Sequence, residues 1–347
     1  MNKLKKLLLL LIPALLLCGC SALEKEPELD EYTSYVYAMD TVMTLTAYSD
    51  SEDANSALAD AAGAIEALER RVSVTDEQSD IFRLNANSDA PQTVSDDTAE
   101  ILTRALELCR STGGALDVSI YPVVREWGFT TGNYKVPDYN TLLELLKKVD
   151  YSNVSVDGNT VSLSPGMQID LGSVTKGYVG DMAADILSEA GIRSAVLNLG
   201  GNVRVMGSNP NGESWRVGVQ DPLDSSKYFG IISVTDKSVV TSGGYNRYFE
   251  SGGKTYWHIL DPHTGYPADN GVISATIVGE DGLMCDGLST AAFVMGVNEA
   301  FDYWRQNGGF DMLLMTKYGH IYITPGLEDC FELMPSYAAD YTIEVVH

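Results

Sequence analysis

The residues of this chain with the clearest potential for chemistry lie between positions 240 and 267. This stretch contains a Thr-Ser-Gly-Gly turn, Arg247, an Asp-Pro turn and two of the four histidines of the sequence, His258 and His263. Its pattern predicts a β-hairpin whose return strand, residues 255–260, ends in the sequence His-Ile-Leu-Asp-Pro at 258–262. This places an imidazole and a carboxylate at a strand end, where rigid scaffolds commonly hold reactive groups. A surface hairpin with scattered polar residues is the alternative interpretation.

A second segment, residues 284–292, has residue types that suit a metal ion. Asp286 and Thr290 are four residues apart, so both face the same side if this segment is helical. A carboxylate and a hydroxyl are hard oxygen ligands, which suit Mg²⁺ when substrate phosphates complete its coordination. A capping aspartate with a buried threonine explains the same pattern without a metal.

Two glycine-rich loops could bring backbone N–H groups close to a phosphate. In residues 111–117 the paired glycines permit close approach, and Asp117 could accept a hydrogen bond from a ribose or a base, although a helix C-cap accounts for the same residues. Residues 169–177 open a helix predicted to begin at Lys176, and both a helix N-terminus and a lysine favour an anion. A capped helix start is the alternative there. Residues 198–202 are expected to form a tight turn between strands.

Several common signatures are missing. The sequence has no GxGxxG after a strand, no GxxxxGK[ST], no HExxH and no GxSxG, so neither a Rossmann site nor a P-loop is supported. A transition-metal hydrolase built on His258, Asp261 and His263 is a weak alternative. The Asp-Pro turn separates these side chains, and the spacing of the two histidines matches no standard ligand motif.

The elements that must position these residues are predicted to be mixed. Helical spacing of apolar residues is found over residues 53–72, 96–111, 176–190, 290–295 and 299–306. Residues 35–48 alternate as a strand does, and so do many short segments after residue 193. Strands in runs, with helices grouped elsewhere, predict an α+β fold with a largely antiparallel sheet core and helices packed around it.

The N-terminus has the pattern of a secretory signal. Three lysines precede an apolar run at residues 7–17 that is too short to span a bilayer and is interrupted by Pro13. Because Gly19 before Cys20 resembles a bacterial lipobox, we expect a lipoprotein signal peptide at 1–19, a lipidated cysteine and tether at 20–31, and a folded unit of one domain or two intimate lobes at 32–347. The body is then expected outside the cytoplasm, anchored to a membrane through Cys20. A plain secreted protein is the alternative.

The net charge restricts the partners. It is −25, and cleavage of the signal takes it to −28 because three lysines and no acidic residue are removed. A body this acidic repels phosphate backbones, so a nucleic acid is not an expected partner. The other cysteines, Cys109, Cys285 and Cys330, are odd in number and widely spaced, so free thiols are expected.

A series of ordered motifs runs through the body of the chain. They are MDT at 39–41, SDIFRLN at 79–85, GGALDVSIYPVVREWGF at 113–129, IDLGSVTKGY at 169–178, then LNLGGNVRVMG, WRVGVQDP and VVTSGGYNRYFE, and finally HILDPHTGYP at 258–267 and CDGLSTAAFVMG at 285–296. Together they resemble the motifs of the ApbE family of FAD:protein FMN transferases. The resemblance covers nearly all of the body and implies an ApbE-like fold.

The resemblance also implies a site in which Mg²⁺ binds the pyrophosphate of an extended FAD. The implied metal ligands are the side chains of Asp286 and Thr290 and the backbone carbonyl of Ser173, and Ser289 stands where some members carry a further carboxylate. The positions that match flavin or adenosine contacts are Met39, Ala115, Leu116, Asp117, Asp170, Lys176 and Leu260. Arg247 is expected either to hold a phosphate or to pair with Glu250. His258 is the candidate general base because its ordinary pKa lies near neutrality, and a structural strand-end role is the alternative.

The implied reaction is Mg²⁺-dependent transfer of FMN from FAD to a Thr or Ser hydroxyl of an extracytoplasmic acceptor, with release of AMP. The acceptor is expected to be an FMN-binding domain or a subunit of a membrane redox complex. An Mg²⁺-dependent FAD pyrophosphatase and a non-catalytic flavin-binding lipoprotein are the alternatives. Residues 286–292 superficially resemble the acceptor motif Asp-Gly-x-Ser/Thr-Gly-Ala-Thr. Because Asp286 and Thr290 are expected to be metal ligands, self-flavinylation is not expected.

Overall fold

The structure, a computed structural model, describes residues 29–245 and 247–347. The helices are α1 Asp53–Val72, α2 Asp80–Ala86, α3 Asp96–Ser111, α4 Tyr121–Glu126, α5 Tyr139–Leu146, α6 Thr175–Glu189 and α7 Gly282–Asn307. The expected signal peptide, Cys20 and most of the expected tether lie outside the described residues, and the last two residues of that tether belong to the first strand.

The strands are β1 Asp30–Ala38, β2 Thr41–Ser49, β3 Gln92–Thr93, β4 Ser155–Asp157, β5 Thr160–Ser162, β6 Ser194–Asn198, β7 Val203–Met206, β8 Trp215–Asp221, β9 Asp224–Val234, β10 Ser238–Gly243, β11 Tyr248–Ser251, β12 Lys254–Trp257, β13 Val272–Gly279, β14 Asp311–Thr316, β15 His320–Ile323, β16 Phe331–Leu333 and β17 Thr342–Val345. Nine of them form a large sheet in the order β1-β2-β6-β7-β10-β13-β14-β15-β17. Within the described ranges its pairings are antiparallel except for β15 with β17. The predicted α+β fold with a largely antiparallel sheet is confirmed.

The large sheet is covered on both faces, and β10 shows how. Val240 belongs to an apolar cluster with Phe293 of α7, whereas its neighbour Val239 belongs to a cluster with Val217 and Ile232 of the small sheet β16-β9-β8. Successive side chains of a strand point to opposite faces. Helices therefore pack on one face of the large sheet, and a second sheet packs on the other.

Two sequence-based expectations are wrong in detail. The single strand expected over residues 35–48 is a hairpin, since Met39 and Asp40 form a two-residue turn with positive φ angles of 53° and 59°. This turn has Met-Asp where an Asn-Gly or Gly-Gly pair usually marks a turn of this kind. The two helices expected after residue 290 are one helix, α7, which begins at Gly282 and bends at Gly296. Among the described residues no helix has the length and apolar character needed to cross a bilayer.

Candidate functional site

One end of the large sheet gathers most of the predicted site residues. The β1–β2 turn, the β6–β7 turn and the end of β10 meet there because of the strand register, which pairs Asn198 with Thr44 on one side and Val203 on the other. Arg247, directly before β11, lies 3.2 Å from the Asp40 carboxylate in the first turn. Segments far apart in sequence therefore share this end of the sheet.

Asp286 lies on α7 with 4% of its surface exposed. Its Oδ2 accepts a hydrogen bond of 2.9 Å from the backbone N–H of Gly177, in the first turn of α6. Burial raises the pKa of Asp286, and the nearby Lys176 charge and Asn202 side chain oppose that rise in part. In the described part of the chain no Lys, Arg or His side chain forms a salt bridge with Asp286.

Ser242 of β10 orients the hydroxyl of Thr290. Ser289 Oγ donates to the Asp286 carbonyl at 2.8 Å, so its oxygen must accept the 2.8 Å hydrogen bond from Ser242. Ser242 has then used its only proton and can only accept from Thr290 Oγ1, at 3.3 Å. The Thr290 oxygen keeps its lone pairs for a ligand.

The loop before α6 leaves the Ser173 carbonyl available. In the described hydrogen bonds of this loop, the Leu171 carbonyl accepts from Val174 and from Thr175. The N–H of Gly177 donates to Asp286 instead of to this loop. A buried carboxylate without a cation, an oriented hydroxyl and a free carbonyl form the donor chemistry that a hard divalent ion such as Mg²⁺ requires.

His258 directly follows β12, and the structure fixes its tautomer. Its backbone N–H and its Nδ1 lie 3.1 Å and 3.2 Å from the Arg247 carbonyl. Because a carbonyl oxygen can only accept, Nδ1 carries the proton of the neutral ring and Nε2 carries a lone pair. Burial first, and then the charges of Arg247 and Lys176, lower the pKa of His258 to about 4. The imidazole is therefore neutral near pH 7.

Lys176 and Arg247 supply the positive charge of the site. The Lys176 charge lowers the pKa of Asp170, His258 and Asp286, so it acts on all three groups. Burial raises the pKa of Asp170, and both cations oppose that rise. Arg247 pairs with Asp40, so the expected alternative of a pair with Glu250 is wrong. Two cations beside a neutral imidazole suit a polyanionic ligand.

Asp117 and its two neighbours are integrated into the fold. The Asp117 carboxylate accepts from the N–H and the hydroxyl of Ser119 at 2.8 and 2.6 Å and from the N–H of Tyr151 at 3.1 Å. Ala115 and Leu116 are buried. Asp117 thus caps a local turn, and a contact of these residues with FAD stays a prediction.

Met39 and Leu260 pack against different parts of the structure. The N–H of Met39 donates to Glu69 of α1 at 2.6 Å. Leu260 is buried in an apolar cluster with Trp127 and Phe129, and the Phe129 ring meets the His258 ring edge-on at 6.3 Å between centroids. Their predicted flavin or adenosine contacts stay predictions.

The second histidine of the hairpin segment does not join the site. The Asp261 carboxylate accepts from the N–H of His263 at 2.8 Å and from the hydroxyl of Thr264 at 3.1 Å, which closes the Asp-Pro turn. Among residues 29–245 and 247–347 there is no group of three or more His, Cys, Asp or Glu side chains placed to hold a metal. His258, Asp261 and His263 therefore do not form the transition-metal centre of the weak alternative.

Sequence reasoning missed three contributors: Ser242, Asp40 and Asn202. Residues 198–202 do form the expected tight turn, closed by the 2.7 Å hydrogen bond from the Leu199 N–H to the Asn202 carbonyl. The buried Asn202 side chain also lies near Asp286, although its Nδ2 has no hydrogen-bond partner. The Thr-Ser-Gly-Gly and Asn-Leu-Gly-Gly-Asn motifs were the available signals, but each is equally typical of a plain turn.

Comparison with known proteins gives a consistent result. The model of the ApbE family matches residues 39–314. An FAD:protein FMN transferase of Treponema pallidum is 31% identical over 334 residues, which cover 90% of this chain and 92% of that protein. One of Klebsiella pneumoniae is 33% identical over 258 residues, 73% of this chain and 80% of the relative.

Solved structures agree with this result. The crystal structure of the ApbE protein of Thermotoga maritima has a TM-score of 0.78 and 30% identity, and the match covers 90% of this chain and all of that one. The flavin transferase ApbE of Vibrio cholerae has a TM-score of 0.76 and 27% identity over 90% of this chain and 99% of its own.

Proposed function

The chain belongs to the ApbE family and is a flavin transferase, and on this premise we propose that it transfers the FMN half of FAD to a Thr or Ser hydroxyl of an acceptor protein and releases AMP. One observation supports the proposed transfer chemistry. The Arg247 carbonyl holds the neutral His258 at 3.2 Å, and the charges of Arg247 and Lys176 act on this imidazole. The Lys176 charge also acts on the buried Asp286. This arrangement suits a phosphoryl-type transfer from a diphosphate.

Lys176 and Arg247 bind the FAD pyrophosphate in this proposal. The protein is otherwise strongly acidic, with a net charge of −25, so these two cations must offset the repulsion of an anionic substrate. Arg247 is partly exposed, at 38% of its side chain, and can exchange its contact with Asp40 for a phosphate oxygen. Met39, Ala115–Asp117, Asp170 and Leu260 are the proposed flavin and adenosine contacts.

Asp286, Thr290 and the Ser173 carbonyl would hold Mg²⁺. The unpaired buried carboxylate and the oriented Thr290 hydroxyl fit this ion. When bound, Mg²⁺ supplies Lewis acidity at the phosphoryl oxygens. Ser289 donates to the Asp286 carbonyl and contacts Ser242, so it supports the ligand set instead of joining it.

His258 accepts the proton of the acceptor hydroxyl at Nε2. The hydroxyl oxygen then forms a bond to the FMN-side phosphorus, the bond from that phosphorus to the bridging oxygen breaks, and AMP leaves with the bridging oxygen. A pKa of about 4 makes His258 a weak base in the free protein. Since two cations lower that pKa, a bound diphosphate raises it by offsetting their charge.

The sequence pattern of residues 1–20 supports an extracytoplasmic location with a lipid anchor on Cys20. The acceptor is then an extracytoplasmic protein, such as an FMN-binding domain or a subunit of a membrane redox complex. The folded unit at 32–347 carries every residue of the proposed site.

An FAD pyrophosphatase would use the same residues with water as the nucleophile. The deciding experiment is incubation with FAD, Mg²⁺ and a purified FMN-binding domain that carries the sequence Asp-Gly-x-Thr-Gly-Ala-Thr. We expect covalent FMN on the domain, seen by in-gel flavin fluorescence and intact mass. Free FMN and AMP without a labelled domain would establish the hydrolase instead, and tight FAD binding without turnover would indicate a binding protein.

A further inference from the structure

A cavity of about 300 Å³ lies at the same end of the large sheet as the candidate site. The large sheet lines it with Asn198, Gly200 and Thr241, and the small sheet lines it with β8 and Tyr228. Thr241 faces the cavity, whereas the next residue, Ser242, contacts α7. Because neighbouring side chains of a strand point to opposite faces, the cavity lies across the sheet from Asp286 and Thr290.

The open edge of β8 forms one wall of this cavity. In the described part of the chain β8 is the outer strand of its sheet, paired with β9 on one side. Trp215, Arg216, Val217, Gly218 and Gln220 line the cavity almost without a break. Since side chains alternate along a strand, consecutive lining residues mean that the backbone edge itself faces the cavity. Such an edge presents unpaired N–H and C=O groups.

The cavity adjoins the segments that carry Asp40 and Arg247. Gly200 is so close to Thr41 that a Cβ atom on Gly200 would lie 2.5 Å from the threonine side chain. Thr41 follows Asp40, which pairs with Arg247. Tyr245 lines the cavity two residues before Arg247, whose carbonyl holds His258. The wall of the cavity and the residues that hold His258 therefore belong to one short segment of the chain.

We propose that the cavity and the open edge of β8 bind the acceptor polypeptide, which adds to β8 as an extended strand beside the hydroxyl that receives FMN. This inference rests on the proposed function. Strand addition derives its affinity from main-chain hydrogen bonds and its specificity from pockets for alternate side chains. A volume of about 300 Å³ is at the low end of the ~300–1,000 Å³ typical of ligand pockets, which suits a short stretch of polypeptide.

Two pairs of variants test the inference with the FMN-binding domain described above as the acceptor. Arg216→Ala changes a residue of the β8 edge that lines the cavity, and Glu332→Ala removes the same exposed ion pair without touching the cavity. Tyr228→Ala removes a cavity side chain, and Lys227→Ala changes its exposed neighbour on the opposite face of β9. We expect each cavity variant to raise the KM for the acceptor domain about fivefold or more, with the KM for FAD unchanged. The two controls should match the wild type.

A crosslink provides a second measurement that does not depend on turnover. Tyr228→p-benzoylphenylalanine should give a covalent adduct with the acceptor domain on illumination, and the same replacement at Lys227 should not. An unlabelled domain with the wild-type enzyme contradicts the proposed function. A labelled domain, with an unchanged acceptor KM in both cavity variants and no adduct at position 228, overturns the acceptor site alone.

Discussion

The backbone N–H of Gly177 donates to the Asp286 carboxylate at 2.9 Å and joins two segments 109 residues apart. This hydrogen bond places a buried carboxylate at the N-terminus of α6, where the helix dipole stabilises negative charge. The two helices touch at the same point, since a Cβ atom on Gly177 would lie 2.0 Å from the Gly282 carbonyl oxygen. The position of the proposed metal ligand therefore depends on a glycine.

Gly177→Ala should separate α6 from α7. The added methyl group cannot be accommodated at 2.0 Å from a backbone atom, so we expect a loss of about 1–3 kcal/mol in unfolding free energy, together with reduced transfer activity. Urea unfolding measures the first effect. Gly63→Ala on the exposed face of α1 is the matched control, because a Cβ there meets nothing within 4 Å, and it should stabilise by about 0.5–1 kcal/mol. Equal stability of the two variants would contradict the close helix contact.

Asp286→Asn should abolish transfer without unfolding the protein. The amide oxygen still accepts from Gly177, and the variant no longer buries an unpaired charge, so we expect its melting temperature without metal to equal or exceed that of the wild type. The rise in melting temperature on addition of MgCl₂ and FAD should disappear. Asp302→Asn, an exposed position on the same helix, is the control and should keep that rise. Full transfer by Asp286→Asn in the presence of EDTA would refute the metal site.

His258→Ala should lower the transfer rate by about 10²–10⁴-fold, the usual contribution of a general base. FAD binding should survive, because the cations and the metal ligands remain. Single-turnover transfer and an FAD titration separate the two effects. His263→Ala removes the other histidine of the segment, which is exposed, and should transfer FMN at the wild-type rate. An unchanged rate in His258→Ala would leave this residue a structural role only.

The pH dependence of kcat/KM should report the lowered pKa of His258. Protonation removes the Nε2 lone pair, so kcat/KM for FAD should fall only as the pH approaches about 4 and not near the ordinary value of 6.5. The acid limb of kcat should lie at higher pH, because the bound diphosphate raises the pKa. An acid limb of kcat/KM near 6.5 would mean that neither burial nor the charges of Arg247 and Lys176 lower the pKa of this imidazole.

The same pKa predicts how stability changes with pH. Because the folded pKa of His258, about 4, lies below the ordinary 6.5, the unfolded chain takes up this proton first as the pH falls. The contribution of His258 is full above pH 6.5 and is lost between pH 6.5 and 4. Burial raises the pKa of Asp181 to about 6, so the folded protein takes up this proton before the unfolded chain does as the pH falls. Asp181 therefore adds to the unfolding free energy as the pH falls through 6, opposite to the effect of His258. His258→Ala should therefore lose less unfolding free energy than the wild type between pH 7 and 5, as measured by urea titration.

Local patterns were readable in the sequence. The limits of α1 and α3 match their apolar periodicity. The four-residue spacing of Asp286 and Thr290 fits the one helix that carries both, although the periodicity predicted a helix only from residue 290. The hairpin turn at Met39–Asp40 was not readable, because methionine seldom adopts a positive φ and Met-Asp is not one of the pairs, such as Asn-Gly, that mark this turn.

The sequence alone determined the family motifs, the α+β class and the residue types of the site, since these depend on composition and on spacings within a few helical turns or strands. Tertiary structure decided the partners: Ser242 beside Thr290, Gly177 beside Asp286, Asp40 beside Arg247, and the cavity along β8. Each of these contacts joins segments far apart in the chain. The register of a nine-stranded sheet and the packing of two helices bring them together, and no local spacing encodes either one.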